Sequence, residues 1–455
     1  MRSHISTLPT TPQRFLVTQI EAPQNPFAIE SVLTSSASST MSSSPAIVTP
    51  TPILEPTPVT QPTPIPEPTP VVTQPIAAAT GVLQYPLSTK GNQIVDANGQ
   101  PVQLAGVNWY GMNTNDYVPQ GLWARDYKSM LSQIKGLGFN LIRVPFSYDS
   151  VYAGPERIND GINYWLGANE EFRGKRPIEV LDLIVQEAGR QGLMIVLENH
   201  NFQADTQPQL WYQDGYSEGM WIDMWKKLAQ RYANQPNVIG ADLKNEPNTT
   251  ATWGNGDLAT DWRLAAERAG NEVLSVNPKW LIIVEGVGED PSDPNTSQKR
   301  YWWGQNLERA GQFPVRLNLP NRLVYSPHDY GPGNARTLRV EEFIPYLNDP
   351  TFPNNLEPRW DTAFGYLHDQ NIAPIFMGEF GGPGPAYYDR DGLWQDKLIP
   401  YLDRKDMSWA YWAWNPQSYE SGGGILGWDW QTVRTDRHDM LKPLIEEATP
   451  VPKLP

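Results

Sequence analysis

Eight short apolar runs, each followed by a stretch of helical period, set the strongest limit on what this chain can fold into. The runs lie at residues 102–109, 140–146, 193–200, 238–247, 281–285, 323–330, 373–380 and 408–415. Amphipathic segments separate them at 126–138, 178–192, 220–233, 261–275, 360–370 and 393–404, and 439–448 closes the series. Near-continuous apolar strands alternating with helices argue a parallel sheet covered on both faces, and eight such units argue an α/β chain closed as a (β/α)8 TIM barrel. The link after the fifth run is irregular, and its helix is the weakest of the set.

A barrel of this kind builds its site from the carboxyl ends of its strands. Two runs carry a glutamate just before a proline or glycine stop. The run at 238–247 stops at Asn245, Glu246 and Pro247, where proline has no N–H to continue a ladder, and the run at 373–380 places Glu379 before a glycine pair. Two carboxyls across one bond are the minimum equipment for cleaving a glycoside, one protonating the leaving oxygen and the other attacking the sugar carbon or activating water. A lone glutamate at a strand end is more often a solvated surface group. Here the other predicted ends supply Asn108, Trp109, Arg143, His200, Asn245, Glu285, His328, Tyr330, Trp412 and Trp414, so acid, base and aromatic groups converge on one face.

Composition removes several classes of function. A formal net charge of −15 disfavours nucleic acid or an anionic membrane as partner and suits a neutral substrate. The chain has no cysteine, hence no disulfide, thiolate nucleophile or cysteine metal site. The five histidines are dispersed without metal-ligand spacing, no cofactor motif is present, and Gly422, Gly423 and Gly424 read as a loop because no P-loop lysine and serine follow. No apolar run reaches membrane-spanning length.

The organisation is read as four segments: 1–49 disordered, 50–80 a linker, 81–448 the barrel, and 449–455 a tail. Residues 50–75 hold ten prolines in Pro-Thr-Pro units, which favours an extended spacer, whereas all 18 tryptophans lie beyond residue 80. Such spacers join modules, so a carbohydrate-binding module, separate or lost, is an expected companion of a monomeric enzyme. Residues 14–20 are too short and too polar for a secretory signal. Secretion is expected on the linker alone.

Seven segments in order carry a specific resemblance: AGVNW (105–109), GLWARD (121–126), IRVP (142–145), LKNEP (243–247), YSPHDY (325–330), GEFG (378–381) and SWAYW (408–412). Through them the domain resembles glycoside hydrolase family 5, most of all its bacterial endo-β-1,4-glucanase branch. The resemblance implies a retaining enzyme acting on cellulose or a related β-glucan, with Glu246 as acid/base and Glu379 as nucleophile. It assigns Arg143, His200, Asn245, His328, Tyr330 and Trp412 to supporting roles, and Trp123, Trp211, Trp302, Trp303 and Trp414 to sugar contacts, with no metal. Asn245 would hold the sugar 2-hydroxyl, and Arg143 would keep Glu379 charged while Glu246 holds the proton.

The chain departs from that branch at Glu198-Asn199-His200, where an aspartate and an arginine are expected before the histidine, which puts the partner of His200 in question. Loops with cysteines in some relatives carry Asn115, Thr252 and Asn255. Alternatives are a mannanase, xyloglucanase or mixed-linkage glucanase with the same chemistry, and a barrel that binds glycans without cutting them.

Overall fold

The computed structural model describes residues 82–159, 168–297, 299–338, 345–384, 389–416 and 424–455. The N-terminal segment, the Pro/Thr stretch and Gly422 and Gly423 lie outside them.

Eight parallel strands form the expected ring: β1 (Ala105–Asn108), β2 (Leu141–Ser147), β3 (Met194–Asn201), β4 (Val238–Asp242), β5 (Leu281–Glu285), β6 in two segments (Leu323–Ser326 and His328–Tyr330), β7 (Phe376–Gly381) and β8 (Ser408–Tyr411). Strands β1 to β6 pair in sequence order, β8 joins β1, and β7 lies between β8 and the second segment of β6. Pro327 has no N–H and divides β6, so its first half serves β5 and its second half serves β7. A bridge between Tyr325 and Ile375 closes the ring.

Alternation along the strands separates floor from roof. Leu141, Val196, Ile283, Val324 and Ala410 belong to one buried apolar cluster. Two positions further along their strands stand Arg143, Glu198, Glu285, Ser326 and Trp412, so the face that is apolar at the strand starts becomes polar at the carboxyl end. An antiparallel hairpin that sequence pattern did not announce, Ser88–Lys90 with Gln93–Val95, brings Ile94 and the preceding Leu83 and Leu87 into the same cluster at the amino end of the ring.

The crossovers are α1 (Tyr127–Gly136), α2 (Pro177–Gln191), α3 (Glu218–Arg231), α4 (Trp262–Val276), α5 (Leu356–Trp360 and Tyr366–Asp369 joined through a π turn), α6 (Asp389–Arg404) and α7 (Thr435–Glu446). Their starts follow local chemistry. The Asp126 and Ser217 side chains accept from backbone N–H groups of the first turns of α1 and α3, and proline opens α2, where its missing N–H is no loss. The crossover after β5 holds one helical turn among its described residues, Pro294–Ser297, as its irregular sequence foretold.

The fourth strand is shorter than its apolar run. It ends at Asp242 because the Leu243 carbonyl receives the indole N–H groups of Trp221 and Trp225 at 3.1 and 3.0 Å, so helix α3 takes the acceptor that a ladder would have used. Asn245 and Glu246 therefore sit on a loop beyond the strand.

The floor carries much of the stability. Phe376→Ala removes a fully buried ring from the cluster and is expected to lower the unfolding free energy by about 3–5 kcal/mol, read as a fall in the denaturant midpoint at unchanged slope.

Candidate active site

At the centre of the polar roof lies the Arg143 guanidinium, with no exposed surface. Its Nε donates to Asp242 Oδ2 at 2.9 Å, Nη1 to Glu379 Oε1 at 2.6 Å and Asn108 Oδ1 at 2.9 Å, and Nη2 to Glu285 Oε1 at 2.8 Å. A fourth carboxylate, Glu198, approaches Nη1 to 3.6 Å. Burial alone would lower the arginine's pKa, but the surrounding carboxylates overcome it and hold the group charged well above its ordinary range. Arg143 alone does not offset the burial of four carboxylates, and the buried Lys244 near them is itself lowered by burial to about 8. Burial, against the pull of Arg143 and with the push of Glu198, moves Asp242 up to about 7; burial and the neighbouring Asp242 drive Glu285 far above its usual value. The cluster therefore retains a proton at neutral pH.

Glu379 is buried on β7 with both oxygens held, Oε1 by Arg143 and Oε2 by the Tyr330 hydroxyl at 2.7 Å. Glu246 stands at the mouth, partly exposed, with its backbone at φ +45°, a left-handed conformation uncommon for a glutamate. Its N–H donates to Glu285 Oε2 at 2.7 Å, and Asn248 Nδ2 donates to its carbonyl at 2.8 Å. The local strain, of order 1–3 kcal/mol, is offset by these bonds.

His328 links the two glutamates: its Nδ1 lies 3.0 Å from Glu246 Oε1 and 3.7 Å from Glu379 Oε2. One oxygen of each glutamate and a ring nitrogen of His328 all lie within 4.8 Å of one another. Burial, with Arg143 and His200 nearby, keeps His328 neutral by pushing its pKa well below the usual imidazole value. His200 behaves oppositely: burial opposes its protonation, but Glu198 at 3.0 Å from Nδ1 outweighs burial and raises it. That contact resolves the question raised by the sequence departure, since Glu198 itself partners the histidine.

Asn245 is buried with its backbone N–H on the Asn199 carbonyl at 2.9 Å and Oδ1 at 3.5 Å from Arg143 Nη2. Trp412 stacks on His200, at 5.7 Å and 15°, and on Tyr110, at 5.4 Å and 12°. The remaining tryptophans divide. Trp123 is half-exposed beside Trp430, and Trp303 is half-exposed beside Gly288. Trp302 is nearly buried, donates to the Tyr330 carbonyl at 2.8 Å and meets the Tyr330 ring edge-on, so it braces that tyrosine. Two expectations fail on burial. Trp211 has no exposed surface, donates to Glu218 Oε2 at 2.7 Å and packs on Trp262, and Trp414 is likewise fully enclosed; neither reaches a cleft.

Sequence reasoning passed over Glu198 and Asp242 as site groups and left Glu285 without a role, although the period-two count from Val196 and Ile283 leads to Glu198 and Glu285. It also missed Asp391 on α6, which accepts from Gly333 N at 2.6 Å and Gly384 N at 2.9 Å and so ties the loops after β6 and β7. Those loops need glycine there: a Cβ on Gly331 or Gly382 would lie 2.6 Å from an Asp391 oxygen. Glu198, His200 and Glu379 form a second set whose ligand atoms lie within 4.8 Å, but Glu379 in both sets already binds the Arg143 cation.

A family model described as Cellulase (glycosyl hydrolase family 5) matches residues 95–418. An endoglucanase of Paenibacillus polymyxa is 43% identical over 378 residues, spanning 82% of this chain and 91% of the relative. The major extracellular endoglucanase of Xanthomonas campestris pv. campestris is 39% identical over 370 residues, spanning 81% of this chain and 72% of the relative. Among solved structures, the catalytic domain of that Xanthomonas enzyme superposes with a TM-score of 0.70 at 39% identity, covering 79% of this chain and 99% of that one. A hyperthermophilic endocellulase from the archaeon Pyrococcus horikoshii gives 0.71 at 38% identity, with coverage of 79% and 99%.

The retained proton has a pH signature. Asp242 is raised from its ordinary 3.8 to about 7, so between those values the folded chain holds a proton that the unfolded chain has released. Its contribution to stability is complete below about pH 4 and is lost as the pH rises through about 7. Asp242→Asn, although less stable overall, is expected to lose less stability than the parent across that interval in denaturant titrations at stepped pH. An equal slope in both proteins would place the proton elsewhere.

Proposed function

This chain belongs to glycosyl hydrolase family 5 and is an endo-β-1,4-glucanase, and on that premise we propose that Glu379 is its nucleophile and Glu246 its acid and base. The observation that carries the assignment is one oxygen of each carboxyl lying within 4.8 Å of the other, which suits the roughly 5–5.5 Å between carboxyl groups of retaining enzymes and falls short of the roughly 6.5–9.5 Å of inverting ones.

The reaction runs in two displacements. Glu379 attacks the anomeric carbon as Glu246 gives its proton to the departing glycosidic oxygen, leaving a glycosyl ester on Glu379. Glu246, now a carboxylate, takes a proton from water, whose oxygen attacks the same carbon and releases Glu379. Arg143 and Tyr330, bonded to the two oxygens of Glu379, stabilise its charged form before attack and after release. Neutral His328 with its proton on Nδ1 donates to Glu246 Oε1 and so directs the catalytic proton to Oε2. Asn245, adjoining the acid and anchored by Asn199, holds the 2-hydroxyl in this reading, and Trp412 floors the cleavage subsite. Trp123 and Trp303 stay in the proposed binding set, and Trp302 acts as a brace of Tyr330.

We further propose that the enzyme works outside the cell as a monomer, with 50–80 as a spacer and 81–448 as the catalytic domain. All proposed catalytic groups come from one chain, and no helix among the described residues is long and apolar enough to cross a membrane. The Xanthomonas relative is described as extracellular.

Glu379→Gly is expected to abolish release of reducing ends from carboxymethylcellulose, and azide should restore turnover of an activated aryl cellobioside with inversion at the anomeric carbon. The parent should release the β-anomer first in proton NMR of fresh product. Near-normal polymer hydrolysis by the variant would remove Glu379 from its role. Deleting residues 1–80 is expected to leave soluble-substrate activity and the melting midpoint within error of the full chain, because that stretch holds none of the 18 tryptophans. A large loss of stability would show that it packs on the barrel, and activity confined to the cytosol of the native host would refute secretion.

A further inference from the structure

Beyond Trp412 the cleft wall continues. Tyr110, stacked on Trp412, also lines an open cavity of about 580 Å³ whose other walls are Trp123, Trp428 and Trp430, with Asp116 and Asp205 among its polar groups. That volume is within the usual range of small-ligand pockets. Trp428 is the most exposed large hydrophobic residue of the described chain, 73% open, in a protein that encloses most of its indoles. An isolated exposed indole needs no explanation, but one that forms the rim of an aromatic cavity joined to the catalytic wall does.

The turn presenting this indole is rigid. Asp429 accepts from the N–H groups of Gln431 and Thr432 at 3.0 and 2.8 Å and from the Thr432 hydroxyl at 2.5 Å, and the Gly427 N–H donates to the Thr432 carbonyl at 2.7 Å. Trp430 is locked behind it, edge-on to Trp123 at 5.2 Å, with its carbonyl held by Arg125 at 2.8 Å. The backbone that carries the indole is thus set before a ligand arrives, so covering it orders only the side chain's own rotamers.

We propose that Trp428 is the outer wall of a distal sugar subsite, gripping a ring of the same polysaccharide chain beyond those flanking the cut. The proposal rests on the endo-acting reading above. A β-linked glucosyl ring has two apolar C–H faces and a rim of equatorial hydroxyls. Its face suits an indole plane, and its rim suits the acceptors of Asp116 and Asp205. The occupant follows from proximity, because His200, with a ring nitrogen within 4.8 Å of a Glu379 oxygen, stacks on Trp412, and Trp412 stacks on Tyr110 of this cavity. A chain too short to reach it gains nothing from Trp428. Affinity therefore grows with chain length, and Trp428 sets that preference.

The test compares kcat/KM on cellohexaose with kcat/KM on an aryl cellobioside for the full chain and for Trp428→Ala and Trp428→Phe. The Ala variant is expected to lower the long-to-short ratio at least about tenfold, mainly through KM for cellohexaose, and Phe should recover most of it. Intrinsic fluorescence titrated with cellohexaose in Glu379→Gln should lose part of its quenching when Trp428→Ala is added. An unchanged ratio together with unchanged quenching would overturn the subsite while leaving the endoglucanase assignment intact. A parent protein that releases no reducing ends from carboxymethylcellulose would instead remove the reading on which the proposal stands.

Discussion

The active site hangs from one buried guanidinium. Arg143 reaches from β2 to Asn108 on β1, Asp242 on β4, Glu285 on β5 and Glu379 on β7, with Glu198 of β3 close by, so a single side chain correlates the positions of five other strands. Removing a guanidinium from water is unfavourable by several kcal/mol, and only partners on each of its edges repay that. Its planar fork serves three carboxylates in three directions, which the point charge of a lysine could not do. The excess of acid over base forces a proton to remain in the cluster. Glu285 is then both a partner of Arg143 and the acceptor of the Glu246 N–H, which couples the charge cluster to the backbone of the proposed acid.

Much of this was legible in the sequence because the barrel repeats one physical instruction eight times. Two of the eight strands coincide with their apolar runs and the other six end within five residues of them, and Arg143, His200, Asn245, Glu246, His328, Tyr330, Glu379 and Trp412 do converge. The hidden part follows from what a run of letters cannot express. Glu198 and Asp242 stand at the ends of runs that are otherwise apolar, and nothing local tells a carboxylate aimed at a buried arginine from one aimed at water. The end of β4 was misplaced because its limit comes from Trp221 and Trp225 on a helix, not from Pro247 in the run itself. The hairpin at the amino end was missed because its strands are three residues each, too short for alternation to register.

The two proposed catalytic carboxyls have opposite surroundings for a reason. Glu379 has 3% of its side chain exposed and Glu246 has 13%. A nucleophile profits from fixed donors and loses nothing by seclusion, since it exchanges no proton with solvent. An acid that must become a base has to meet water, and so belongs at the mouth. A regular strand would have turned Glu246 toward the interior or the helices. The left-handed residue on the loop after β4 re-aims it, and the bond to Glu285 holds that conformation.

The tryptophans show where a family resemblance stops being a guide to such a site. It assigned five of them to sugar contacts, yet most of the described indoles serve the barrel. Where a parallel strand stops short of its neighbour its carbonyls lose their ladder partners, and a buried acceptor without a donor is destabilising. Indoles fill that need: Trp221 and Trp225 serve Leu243, Trp262 serves Glu285, and Trp302 serves Tyr330. Trp360 and Trp394 likewise both donate to Asp329 Oδ2, between His328 and Tyr330. Each brings a large apolar body and one N–H, which is what a strand end beneath an active site requires. A tryptophan for sugar must satisfy the opposite condition and keep its face in water. By that criterion Trp211, Trp302 and Trp414 leave the list of proposed binding residues, while Trp428, unremarked in the sequence, enters it.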